Sequence, residues 1–132
     1  MTPIDQFITF VYSSDLERSH AFYADTLGLE LERDQGVCRI YRVTSSSAVG
    51  VCTHREPQPA GTILTIVTDD VDGWHAQLLQ RGASIESPPA HNDRFGIYHF
   101  FVRDPDGNLV EIQRFDQSFT PNLPSDEVGW FA

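Results

Sequence analysis

Two stretches of this 132-residue chain follow one plan. Residues 15–28 and 70–82 each open on an acidic residue, carry an apolar stripe and stop at a glycine, and they lie about 55 residues apart. In the first, Leu16, His20, Tyr23 and Leu27 fall at i, i+4, i+7 and i+11, which is one face of a helix. In the second, Val71, Trp74, His75, Leu78 and Leu79 make the equivalent stripe. Gly28 and Gly82 stand where a left-handed residue ends a helix without steric cost. Ser14-Asp15-Leu16-Glu17 resembles a capping box, with the Ser14 hydroxyl accepting from the Glu17 amide.

Short runs rich in β-branched and aromatic residues surround both helices. Residues 7–12 precede the first helix, and 29–33, 37–43 and 48–53 follow it, broken at Asp34-Gln35-Gly36 and at residues 44–47. Residues 62–67 precede the second helix; 83–86, 97–103 and 109–114 follow it, with a polar loop at 87–94. The predicted class is therefore α+β, a duplicated β-α-β-β-β module. Module 1 spans about 5–54, a connector with Glu56-Pro57-Gln58-Pro59 spans 55–60, module 2 spans about 61–114, and 115–132 is a tail.

The last two strands meet at Asp104-Pro105-Asp106-Gly107. Proline presets φ for a type I turn and glycine supplies the positive φ of the following bulge. That turn sets Phe101 opposite Glu111 and His99 opposite Gln113. Alternation then places His99, Phe101, Leu109, Glu111 and Gln113 on one face and Tyr98, Phe100, Val102, Val110 and Ile112 on the other. The second face is wholly apolar and suits packing under a helix. The first carries a histidine and a carboxylate among apolar residues and is the expected cavity face.

Charge excludes several function classes. Nine basic residues against 19 acidic ones give a net charge of −10, and the arginines are scattered, so nucleic acid and anionic membranes are not expected partners. No apolar run approaches the roughly 20 residues that span a bilayer, and residues 1–5 show no signal-peptide pattern. Cys38 and Cys52, 14 residues apart without a CxxC, suit reduced thiols and a cytoplasmic location. No phosphate-cradling glycine loop, nucleotide fingerprint or Ser-His-Asp spacing occurs.

The blocks Ser14-Asp15-Leu16-Glu17-Arg18-Ser19, Ala21-Phe22-Tyr23, Leu27-Gly28-Leu29 and the run from Phe101 through Asp104-Pro105-Asp106-Gly107-Asn108 to Glu111 resemble the vicinal oxygen chelate superfamily. That superfamily contains glyoxalases, bleomycin and fosfomycin resistance proteins and extradiol dioxygenases. The resemblance covers roughly residues 5–114 and implies two paired modules curling into a cup-shaped mixed sheet around a ligand. It also implies metal-ligand positions on the first and last strands of each module. These fall on Ile8, near Val51, near Ile63 and on Glu111; only the last can ligate. A stably bound divalent metal needs at least three protein donors, so no cofactor is expected and a divalent metal is disfavoured.

The expected protein is a metal-free homodimeric binder of a small aromatic or cationic molecule, held by Glu111, His99, Phe101, Gln113, Phe10, Tyr12 and Tyr41. Phe95, Trp130 and Phe131 are further aromatics able to line a cavity. The alternative is a lyase, isomerase or dioxygenase of the same superfamily, using a metal or a general base at Glu111 with His99 as acid or orienting donor. His20, His54, His75 and His91 fall on helices or loops and carry no expected chemistry.

Overall fold

The computed structural model describes residues 2–116. Module 1 forms a four-stranded sheet in the order β1-β4-β3-β2, from β1 (Phe7–Tyr12), β2 (Glu30–Asp34), β3 (Cys38–Thr44) and β4 (Ser47–Cys52). Module 2 repeats it as β5-β9-β8-β6, from β5 (Ile63–Val67), β6 (Ser84–Ile85), β8 (Ile97–Arg103) and β9 (Leu109–Phe115). In each module the first strand runs parallel to the last and the other pairs are antiparallel. The loop expected at 87–94 contains a further strand, β7 (Ala90–Asn92), on β8. Three residues are too short to show a period in sequence. β9 also takes Phe115 from the expected tail, whose Trp130 and Phe131 lie outside the described residues.

The first helix begins as α1 (Leu16–His20) and continues as a π-helical stretch (Ala21–Thr26), with the Leu27 amide donating to the Phe22 carbonyl at 2.8 Å. Its N-cap is Asp15, which accepts from the Glu17 and Arg18 amides at 3.0 and 3.3 Å, rather than the expected Ser14. The Ser14 hydroxyl turns away to donate to Asp106 in module 2 at 2.7 Å. The second helix, α2 (Val71–Gln80), is capped by Asp70. Its buried stripe is narrower than predicted. Val71 and Leu78 are fully buried and Trp74 packs beside them, but Leu79 lies one step round the helix, mostly exposed.

Val11, Tyr23, Leu27, Val49 and Val51 of module 1 join Val71, Leu78, Phe100, Val102, Val110 and Ile112 of module 2 in one core. No ladder joins the two sheets among the described residues. The modules are instead fastened by side chains. Tyr23 donates to Asp104 at 2.7 Å, Ser14 to Asp106, and the Arg81 guanidinium to the Thr26 carbonyl at 2.9 Å.

The hairpin at 104–107 has the expected register, with Phe101 opposite Glu111 and His99 opposite Gln113. Gly107 has φ +88°. The cysteines depart from expectation: Cys38 and Cys52 are directly paired across β3 and β4, 4.0 Å apart at Cα, and form a disulfide rather than two reduced thiols. The pairing arises from the β3–β4 register, which brings residues 14 apart in sequence face to face. With it goes the thiol argument for a cytoplasmic location.

Candidate functional site

Strand β9 lies between β5 and β8, so a side chain on its outward face has a neighbour on each side. At Glu111 those neighbours are Thr65 and Phe101. The residue is 8% exposed, and a buried carboxylate is costly unless its oxygens are met by donors. Three donors meet them here. His99 Nδ1 lies 2.6 Å from Oε2, and the Thr65 hydroxyl donates to Oε1 at 2.9 Å. The Gln113 amide, turned with its nitrogen toward the carboxylate, donates at 3.1 and 3.2 Å. With Nδ1 committed to Glu111, Nε2 is the nitrogen His99 offers to a ligand. The edge-to-face contact of His99 with Phe101, at 5.2 Å between ring centres, helps hold the imidazole in that orientation.

This cluster forms one wall of an open cavity of about 530 Å³. The remaining lining is mainly apolar: Ile63, Phe95, Ile97, Phe101 and Phe115, with Asn92 at one side. Ile63, Phe95 and Phe115 are each more than half exposed. An aromatic rim around one polar cluster is the usual composition of a small-molecule pocket.

Of the residues singled out from sequence, Glu111, His99, Phe101 and Gln113 converge here, with Phe95 on the rim. The other three do not line this pocket. Phe10 lies on module 1, where its ring covers Gly50. Tyr12 packs edge-on against His54 at 5.8 Å and under the Arg55 guanidinium. Tyr41 lies in the core. It has no exposed surface, stacks on Tyr23 and shares a 2.8 Å hydrogen bond with His20 Nδ1. Burial pushes its hydroxyl above the ordinary tyrosine pKa. Thr65, Asn92, Ile97 and Phe115 were not anticipated. Thr65 was detectable, since it stands two residues from Ile63 on the same face of β5.

The metal positions can be tested against this geometry. Asp15 and Asp70 both cap the module helices, so Phe10 and Thr65 are equivalent. Phe10 pairs with Gly50 as Thr65 pairs with Glu111. The module 1 counterpart of Glu111 is therefore Gly50, not Val51, which is buried in the core. Gly50 has no side chain, Ile8 and Ile63 are aliphatic, and the oxygens of Glu111 already have three donors. This donor set does not fit a divalent metal.

Two β-α-β-β-β modules with first and last strands parallel define the paired-module fold of the vicinal oxygen chelate class. The chain belongs to the Glyoxalase/Bleomycin resistance protein/Dioxygenase superfamily, whose sequence profile matches residues 4–112. It is 26% identical over 116 residues to the Bacillus subtilis protein YraH, covering 76% of this chain and 91% of YraH. Among solved structures it is similar to a glyoxalase/bleomycin resistance protein/dioxygenase from Nocardioides. That match has a TM-score of 0.76 and 17% identity over 95% of this chain and 91% of that one. It is also similar to lactoylglutathione lyase from Agrobacterium tumefaciens, with a TM-score of 0.68 and 22% identity over 86% and 96% of the two chains. These structural likenesses concern the fold.

Proposed function

We propose that this protein binds a small neutral or cationic aromatic molecule in the Glu111 pocket, with no metal in that pocket. The observation that carries the reading is the saturation of Glu111 by His99, Thr65 and Gln113 inside an aromatic rim. A carboxylate so surrounded orients its neighbours rather than ligating an ion. The polar group of the ligand then meets His99 Nε2, with the Glu111 charge behind the ring. Aromatic walls favour flat and cationic molecules through stacking and cation–π contact, and a net charge of −10 draws cations in while repelling anions.

Calorimetric titration with matched cationic, neutral and anionic aromatics tests the reading. The cationic and neutral compounds bind, and Glu111→Gln and His99→Ala each weaken them by about tenfold or more, as expected for loss of a hydrogen bond to a charged group. Equal or tighter binding of the anions, or unchanged affinity in both variants, overturns it. With the disulfide closed, protein purified without chelator carries far less than one equivalent of Zn, Ni, Mn or Fe per chain. A stoichiometric metal lost on Glu111→Gln overturns the metal-free pocket.

One observation favours an enzyme instead. The 2.6 Å contact between Glu111 and His99 Nδ1 presents Nε2 as a carboxylate-backed base, an arrangement suited to moving a proton in an isomerisation or lyase step. Chemical conversion of a bound compound, lost on His99→Ala, selects this alternative.

A further inference from the structure

We propose that Cys38, Cys52 and His54 form a redox-gated site for a thiophilic metal cation of the Zn²⁺ type, closed while the sulfurs are bonded to each other and opened by a dithiol reductant. The site stands on module 1, apart from the Glu111 pocket. Cys38 pairs with Cys52, and Cys52 with Tyr12, as His99 pairs with Gln113 and Gln113 with Val67. The duplicated module thus carries its sulfur pair where the other carries its imidazole and amide.

Three observations place the donors. The two cysteines are held side by side by the ladder, 4.0 Å apart at Cα. His54 lies in the bend just after β4, exposed, with Nδ1 3.9 Å from Cys38 Sγ. One ligand atom from each of the three residues falls within 4.8 Å of the others. Two thiolates and an imidazole are a donor set for zinc, in which metal–sulfur distances of about 2.3 Å separate the sulfurs by roughly 3.8 Å. Adjacent cross-strand side chains span that separation. The Tyr12 ring, edge-on to His54 at 5.8 Å, limits how far the imidazole can swing away. Exposure of His54 leaves a fourth position open to water or an external ligand.

A dithiol attacks the disulfide through a thiolate, gives up two electrons and two protons overall, and leaves as its own disulfide while Cys38 and Cys52 become thiols. The cation then displaces one proton from each thiol and bonds both sulfurs, with neutral His54 as the third ligand.

The test uses the full chain, reduced with a dithiol, freed of it without air, and titrated with Co²⁺ as a coloured stand-in for Zn²⁺. The reduced protein takes up one equivalent with thiolate-to-cobalt charge-transfer absorption, which Zn²⁺ displaces; the oxidised protein shows none. Cys52→Ser abolishes the band. His54→Ala, which alters only an exposed bend, weakens binding by about tenfold or more. Glu111→Gln leaves it unchanged, which separates this site from the pocket of module 2. The proposal is overturned by absence of the band after reduction, by equal binding in the oxidised protein, by a band that persists in Cys52→Ser, or by undiminished affinity in His54→Ala. Loss of the fold on reduction, followed by circular dichroism, also overturns it, because the site must outlast its own opening.

Discussion

Tyr23 shows how much of this fold rests on a single side chain. It has no exposed surface, and its hydroxyl donates at 2.7 Å to Asp104, which also accepts from the Asp106 and Asn108 amides and from the Asn108 side chain. Burial, then the Asp104 charge, pushes the phenol well above its ordinary pKa near 10. The fold therefore favours the protonated phenol. Its stabilisation is complete below pH 10 and is lost above it, where the unfolded chain releases this proton first. Tyr23→Phe is expected to cost about 1–3 kcal/mol at neutral pH. It should also lose less stability than the parent between pH 9 and about 11, though not become flat, since Tyr41 and Tyr98 are also raised. Urea denaturation across that range checks both statements. At this scale the sequence was readable where a turn governed it. Asp104-Pro105-Asp106-Gly107 fixed the partner of every residue in β8 and β9, and Glu111, His99, Phe101 and Gln113 followed. Tyr41 had no such anchor. An aromatic in a strand suits a core as well as a pocket, and only the packing against Tyr23 assigns it to the core.

The 104–107 turn belongs to the next scale, because Gly107 sets the alignment of two whole strands. Its φ of +88° is a conformation that other residues resist, and the nearest atom to an added Cβ, in Pro59, lies at an ordinary 3.7 Å. The cost of Gly107→Ala is thus backbone strain rather than collision, about 1 kcal/mol or more. A chemical-denaturation midpoint equal to that of the parent would show that the turn does not hold the β8–β9 register. The β3–β4 hairpin makes the contrast. Its turn, Ser45-Ser46, has no glycine, proline or asparagine to declare a geometry, and the ladder slips between Arg42 and Thr44. The facing of Cys38 and Cys52 was therefore hidden in sequence although both strands were visible. The first helix is similar. Ser14 and Asp15 are both good caps, and the choice between them depends on Asp106, nearly 100 residues away in sequence.

At the scale of the molecule, the duplication was the clearest signal, because two helices with matching starts and stops require matching surroundings. What the repeat leaves open is apolar surface on its two first strands. β1 and β5 each end their own sheet, border one cleft between the modules, and carry Phe7, Phe10, Ile63 and Val67, which are 71, 47, 51 and 59% exposed. Large apolar side chains left exposed together favour a symmetric partner, and we propose a homodimer that covers them. Light scattering at micromolar concentration is expected to give twice the chain mass of 14.9 kDa; a value equal to one chain counts against it. The missing ladder between the two sheets has a consequence of its own. Among the described residues each half owns all of its strand pairing, and what crosses the seam is packing and side-chain hydrogen bonds such as Tyr23 to Asp104. A chain severed in the connector would therefore yield two pieces that each hold a whole sheet and meet as partners in a bimolecular complex. The connector acts chiefly as a tether, setting the effective concentration at which one half finds the other.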